Sequence, residues 1–96
     1  MDVRIQAVNF EIAQRLTDHI NKKAERLGRH YPAITTVDVI LKVVKPESAN
    51  NKEVVVTVVA PGIKDTVGTK TADSFEEAYD KALEAIDGQL ERIKKA

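Results

Sequence analysis

The chain predicts an α+β fold: a two-layer sandwich of order β-α-β-β-β-α, with a four-stranded mixed sheet and two helices on one face. Two neighbouring runs dense in β-branched residues, 37–45 and 52–60, are separated by the polar turn formers Glu47, Ser48, Ala49, Asn50 and Asn51. One amphipathic helical stripe precedes these runs and another closes the chain. Two such stripes can be buried only against one face of the sheet.

Taken in order, residues 3–8 alternate as a short first strand with Val3, Ile5 and Ala7 inward. The period then changes. Leu16, Ile20, Ala24 and Leu27 share one side of a helix, extended by Ala13 and Tyr31, and Gly28 and Pro32 mark its end at about residue 29. In the next strand Val37, Val39, Leu41 and Val43 alternate with Asp38, Ile40, Lys42 and Val44, so one side is core and the other partly covered. Pro46 stops this central strand. Val54, Val56 and Val58 line the inner side of its hairpin partner, and Pro61-Gly62 makes the following turn. Residues 65–72 form a weaker edge strand interrupted by Gly68. Asp73 or Ser74 caps the second helix, which carries Glu76 and Glu77 in its first turn. Its apolar face is Phe75, Tyr79, Ala82, Leu83, Ile86, Leu90 and Ile93. The first and central strands, joined through a helix, are expected to be parallel, and the later strands antiparallel.

Ninety-six residues fit one domain, 1–96. With no cysteine, disulfides, thiolate nucleophiles and cysteine-based zinc sites are excluded. No run is apolar enough to span a membrane, and no signal-type segment follows the N-terminus, so a cytoplasmic protein without a membrane partner is expected. The formal net charge of zero hides an asymmetry. The first helix region carries Arg15, Lys22, Lys23, Arg26 and Arg29 against Asp18 and Glu25. The second carries Lys81, Arg92, Lys94 and Lys95 against Asp73, Glu76, Glu77, Asp80, Glu84, Asp87 and Glu91.

Motifs for catalysis are missing. The four glycines are too scattered to cradle phosphate, neither Ser48 nor Ser74 sits in a nucleophile elbow, and no His-Glu-x-x-His occurs. His19 and His30 lie roughly 16 Å apart along one helix, too far to share a metal within it, and read as ordinary surface histidines. The carboxylates of the second helix read as a solvated face. No enzyme activity, cofactor, metal or small-molecule substrate is expected.

The cations of the first helix are ordered. At roughly 100° per residue, Arg29, Lys22, Arg15, Arg26, His19, His30 and Lys23 fall within an arc of about 120°, leaving Gln14, Thr17, Asn21 and Gly28 on the other side. The arc suits a polyanion; equally, Lys22, Lys23, Arg26 and Arg29 suit the negative end of the helix dipole. Two features favour RNA. Lys42 and Lys45 are costly charges in an apolar strand unless they reach an open rim. Lys81 and Arg92 share an azimuth beside Ala78, Ala82 and Ala85, so if those alanines face the first helix, two basic flanks border one groove. With only Phe10, Tyr31, Phe75 and Tyr79 as aromatics, phosphate contacts to structured RNA are favoured over base stacking.

Across nearly its whole length the chain resembles the short ribosome hibernation factors, the family of hibernation promoting factor and ribosome-associated inhibitor, also called sigma-factor modulation proteins. The likeness rests on Val-Arg-Ile-Gln from Val3, Phe10-Glu11-Ile12, Leu-Lys-Val-Val-Lys-Pro-Glu from Leu41, and Asp-Ser-Phe-Glu-Glu-Ala-Tyr-Asp from Asp73. It implies a fold similar to double-stranded RNA-binding domains. It also implies binding to the small ribosomal subunit between head and body, where mRNA and tRNA sites are occluded and translation is inhibited. By position, Lys23, Arg26, Arg29, Lys42 and Lys45 correspond to RNA contacts of the family. Lys22 joins them from the arc, and Lys81 and Arg92 from the groove. The chain departs from the family at Ala85 and Gly88, where lysine and arginine are usual, and at Ala13, where a threonine commonly caps the helix. Arg92, Lys94 and Lys95 are the candidate substitutes on the second helix. Ending at Ala96, the chain is expected to lack the C-terminal dimerisation domain of long members, so ribosome pairing would need a second factor. The competing reading is a protein–protein adaptor, or a modulator of transcription, that recruits its partner through the acidic second helix or the edge strand.

Overall fold

In the computed structural model the described residues are 1–45, 47 and 49–95, without the side chains of Lys94 and Lys95. Pro46, expected to stop the central strand, and the turn residue Ser48 lie outside them. The elements are β1 (Asp2–Ala7), α1 (Gln14–His30), β2 (Thr36–Val43), β3 (Lys52–Val59), β4 (Thr66–Ala72) and α2 (Phe75–Lys95), in the expected β-α-β-β-β-α order.

The strands lie side by side in chain order. β1 runs parallel to β2, with Val3 opposite Val37 and Ile5 opposite Val39. β2 and β3 are antiparallel, with Val37, Val39 and Leu41 opposite Val58, Val56 and Val54. Period-two alternation in both strands therefore stacks branched side chains in continuous rows, and all six are buried. β4 completes the sheet antiparallel to β3 and is an edge, as its composition suggested. The other sheet face keeps Asp38, Ile40, Lys42, Thr57 and Thr69; no described element lies over it, and Ile40 is 37% exposed.

Gly68 has a specific cause. It pairs with Val56 in unbroken register, so it marks no bulge. A Cβ at this position would lie 2.8 Å from the Ala82 carbonyl oxygen and 3.2 Å from Ile86 Cγ1. The glycine lets α2 settle directly on the edge of the sheet.

Local contacts mark both ends of α1 and the start of α2. Ala13 precedes α1 without a side-chain cap, its carbonyl accepting from Leu16 and Thr17 N–H. The helix passes through Gly28 and closes at Tyr31, whose N–H donates to the Leu27 carbonyl just before Pro32. On α2 the cap is Ser74, whose Oγ accepts from Glu77 N–H at 3.2 Å; Asp73 instead accepts from Asn50 N–H at 2.8 Å. Ile20, Ala24 and Leu27 of α1 and Ala78, Tyr79, Ala82, Leu83, Ile86 and Leu90 of α2 are buried over the valine rows.

The helices run in the same direction, since His19 meets Asp80 and His30 meets Glu91, both pairs 61 residues apart. Tyr79 locks this register: its fully buried hydroxyl donates to the Ile20 carbonyl oxygen at 2.9 Å. Burial, and secondarily the nearby Asp80 carboxylate, push the Tyr79 pKa up, so the phenol remains a donor. One turn before Tyr79, Phe75 stacks on Phe10, centroids 4.9 Å apart, pinning the segment after β1 to the start of α2.

Two stability measurements follow. Gly68→Ala forces a methyl group against helix backbone and is expected to lower unfolding free energy by about 1–3 kcal/mol; an unchanged urea midpoint would contradict the close approach. Tyr79→Phe keeps the ring and removes one buried hydrogen bond, for an expected loss of about 1 kcal/mol in the same assay.

Candidate nucleic-acid interface

The cationic arc survives folding because the α1 stripe fixes how the helix is turned. With Ile20, Ala24 and Leu27 down on the sheet, Arg15, Lys22, Arg26 and Arg29 are exposed, and half-buried Lys23 sits on the flank toward α2. Lys22, Arg26 and Arg29 occupy successive turns, where like charges repel one another mildly. Their mutual spacing therefore does not favour the helix. The dipole accounts for part of the set, as Arg29 and His30 lie in the last turn. It does not account for Arg15. That residue lies in the first turn, which contains no acid, and a cation there opposes the macrodipole. Its side chain is 91% exposed, and the Glu76 carboxylate at 4.0 Å is a contact of little strength.

Between the helices lies a groove of about 870 Å³. Lys23, Arg26, Arg29 and His30 line one wall, Asp80, Glu84 and Asp87 the other, and Leu27 and Leu83 belong to the apolar lining between them. The expectation of two basic flanks is thus corrected. Ala78 and Ala82 are buried, and the Ala82 carbonyl faces Gly68, so these small residues seat α2 on the sheet. That rotation turns an acidic side of α2 toward α1. Lys81 is outside the groove lining and pairs with Glu77 at 3.4 Å; Arg92 is exposed and also outside that lining.

Lys42 and Lys45 are elsewhere. Lys42 projects from the sheet face away from the helices, because it shares the parity of Asp38 and Ile40 rather than of the buried Val37, Val39 and Leu41. Its Nζ lies 3.3 Å from Glu53 Oε1 on the neighbouring strand, so its charge is locally matched. Lys45, exposed beyond the end of β2, has a positive φ of 48°. The fold thus brings Lys23, Arg26 and Arg29 to one wall, continues them outward to Lys22, and leaves Lys42, Lys45, Lys81 and Arg92 on other surfaces.

The α1–α2 seam was not legible as a site in the sequence. His19 Nε2 lies 2.8 Å from Asp80 Oδ1, and His30 Nε2 lies 3.2 Å from Glu91 Oε1. The histidines are therefore interhelical contacts, and the reading of them as ordinary surface residues is corrected. The Tyr31 hydroxyl lies 2.8 Å from Asp87 Oδ1 and 2.9 Å from Glu91 Oε1. Burial, followed by those two carboxylates, raises the Tyr31 pKa and keeps its proton in place. The available signal was a shared spacing: His19 to His30 and Asp80 to Glu91 both span eleven residues, but this becomes a contact pattern only once the helices are known to be parallel. His30, Asp87 and Glu91 are also the group of three among the described residues with donor atoms close enough to hold a metal ion.

Comparison with known proteins agrees with this architecture. Residues 3–96 match the family model described as Sigma 54 modulation protein / S30EA ribosomal protein. A ribosome hibernation promoting factor of Pseudomonas putida is 31% identical over 94 residues, covering 98% of this chain and 87% of the relative. Two solved structures share the fold. A ribosomal subunit interface protein from Coxiella burnetii has a TM-score of 0.87 at 20% identity, with 100% of both chains covered. The N-terminal domain of Protein Y from Thermus thermophilus has a TM-score of 0.79 at 22% identity, covering 97% of this chain and 99% of that one. Ribosome hibernation factors are non-enzymatic. With the sheet, the parallel helices and the sequence match in agreement over nearly the full length, the chain belongs to the Sigma 54 modulation protein / S30EA ribosomal protein family.

Proposed function

We propose that this chain is a ribosome-associated hibernation factor and translation inhibitor. It binds the small ribosomal subunit in the channel used by mRNA and tRNA, with the α1 arc set against rRNA phosphates. Its relatives, a ribosome hibernation promoting factor and a ribosomal subunit interface protein, support the partner. A ribosome partner places the action of this chain in the cytoplasm, where translation occurs; no described helix is long and apolar enough to cross a membrane.

The observation that carries the phosphate reading is the exposed line of Arg15, Lys22, Arg26 and Arg29, which begins against the helix dipole at Arg15. The aromatic residues support the same mode: Phe10 and Phe75 stack on each other, Tyr79 is buried, and Tyr31 is engaged by carboxylates, so none is a free platform for bases. The acidic groove wall disfavours phosphate inside the groove. The RNA track therefore follows the outer side of α1, with Lys23 at its margin. Lys42 and Lys45 are secondary contacts reached from the sheet side, and Lys81 and Arg92 add charge along α2.

Co-sedimentation with purified small subunits at low and high salt tests this reading. The chain is expected to migrate with subunits at low salt and to be released at high salt, because phosphate contacts liberate counterions. Arg15→Glu/Arg26→Glu is expected to weaken binding at least tenfold and flatten the salt dependence; Lys42→Gln, which alters a charge already matched by Glu53, is expected to do less. Salt-indifferent binding that survives the double substitution would favour an adaptor working through α2 or β4. Failure to migrate with intact subunits under either condition would overturn the proposal.

A further inference from the structure

We propose that the open face of the sheet is a self-association surface, on which a second copy of this chain packs its own open face about a two-fold axis. The pairing is independent of any ribosome contact.

The strand registers arrange that face in level rows. Arg4, Asp38, Thr57 and Val67 form one row across the four strands, Gln6, Ile40, Val55 and Thr69 the next, and Lys42, Glu53 and Thr71 a third. The middle row carries no charge. Each flanking row carries one cation and one anion, so the three rows together are neutral. Exposed apolar surface gathers here as well. Ile40 is 37% exposed and Val67 48%, whereas α1 contributes none of the exposed large apolar side chains among the described residues. A neutral, β-branched surface with no described element over it gives a polyanion no attraction, in contrast to the α1 arc.

The order of charges selects a second copy as the occupant. Consider two such faces related by a two-fold axis that lies between them, perpendicular to the strands and level with the middle row. Each strand then meets its own counterpart running the opposite way, and Ile40 and Val55 stack on their equivalents beside the axis. The flanking rows exchange: Asp38 of one copy stands opposite Lys42 of the other, twice by symmetry, and Glu53 stands opposite Thr57. No like charges are opposed along β2 or β3. Aligned sheets pack about 10 Å apart, a gap that lysine and aspartate side chains close between them. Four strands about 4.8 Å apart and about seven residues long present roughly 440 Å² on each copy. Two faces together cover about 900 Å², close to the roughly 1,000 Å² that a specific interface needs, so the dimer is weak and reversible. It covers Lys42 and leaves both α1 arcs on the outside of the pair.

Sedimentation equilibrium of the untagged full chain is the test. The apparent mass is expected to rise from one chain toward two between about 10 μM and about 1 mM. Ile40→Lys, which sets two cations beside the axis, is expected to weaken association at least tenfold. Asp38→Lys and Lys42→Glu are each expected to be monomeric alone, the first opposing cations and the second opposing anions. An equimolar mixture of these two variants is expected to restore dimers, because each charge again meets its opposite. Arg26→Glu, on the far side of the molecule, is expected to leave association unchanged, and circular dichroism checks that every variant is folded. An unmodified chain that stays monomeric at about 1 mM would overturn the proposal. So would dimers that persist in folded Ile40→Lys, or that are lost in folded Arg26→Glu. A monomeric chain whose Ile40→Lys variant no longer migrates with small subunits would assign the face to the ribosome instead.

Discussion

The structure depends on burying one side of a four-stranded sheet beneath two helices pointing the same way. Val37, Val39 and Leu41 against Val58, Val56 and Val54 supply a flat apolar floor with no buried charge. Gly68 sets how near α2 approaches that floor, and the Tyr79–Ile20 hydrogen bond sets its register against α1. Everything functional is a consequence of these settings. Rotating α1 by one residue would move a cation into the core, and raising α2 would separate both histidines from their carboxylates.

The same settings explain why a chain of zero net charge can present a cationic surface. Charge is divided between helices: α1 exposes cations outward, and α2 turns Asp80, Glu84 and Asp87 inward to the groove. Matched pairs such as Lys42 with Glu53 and Lys81 with Glu77 contribute little to the field beyond the Debye length. The outward face of α1 keeps Arg15, Lys22, Arg26 and Arg29 exposed, with Asp18 and Glu25 beside them. A polyanion approaching the outer side of α1 meets cations first, and the acidic wall limits how deeply it can enter.

Much of the fold was legible because periodicity is local. Alternation in β2 and β3, the α1 stripe and the Pro61-Gly62 turn follow from neighbouring residues, and Gly62 has the positive φ of 80° such a turn uses. The arc on α1 was legible for the same reason, since one helix suffices to define it. The groove was not. Which side of α2 faces α1 depends on Gly68 admitting the Ala82 carbonyl, a contact between residues of different elements that no helical wheel contains. The alanines consequently turned out to contact the sheet, and Lys81 and Arg92 fell outside the groove. The histidines were misread likewise: their partners lie 61 residues away and become visible only when helix direction is known.

The proposed RNA-binding surface is chiefly α1, with the open sheet face secondary. The absence of cysteine permits a direct test in which a hydroxyl-radical source is tethered to one introduced thiol at a time. Glu25→Cys places it beside the α1 arc, and Thr69→Cys places it on the opposite face of the sheet, both at exposed positions. With the labelled chain bound to small subunits, the account predicts strong rRNA cleavage from position 25 and weak cleavage from position 69. Equal cleavage from both, or stronger cleavage from the sheet, would contradict it.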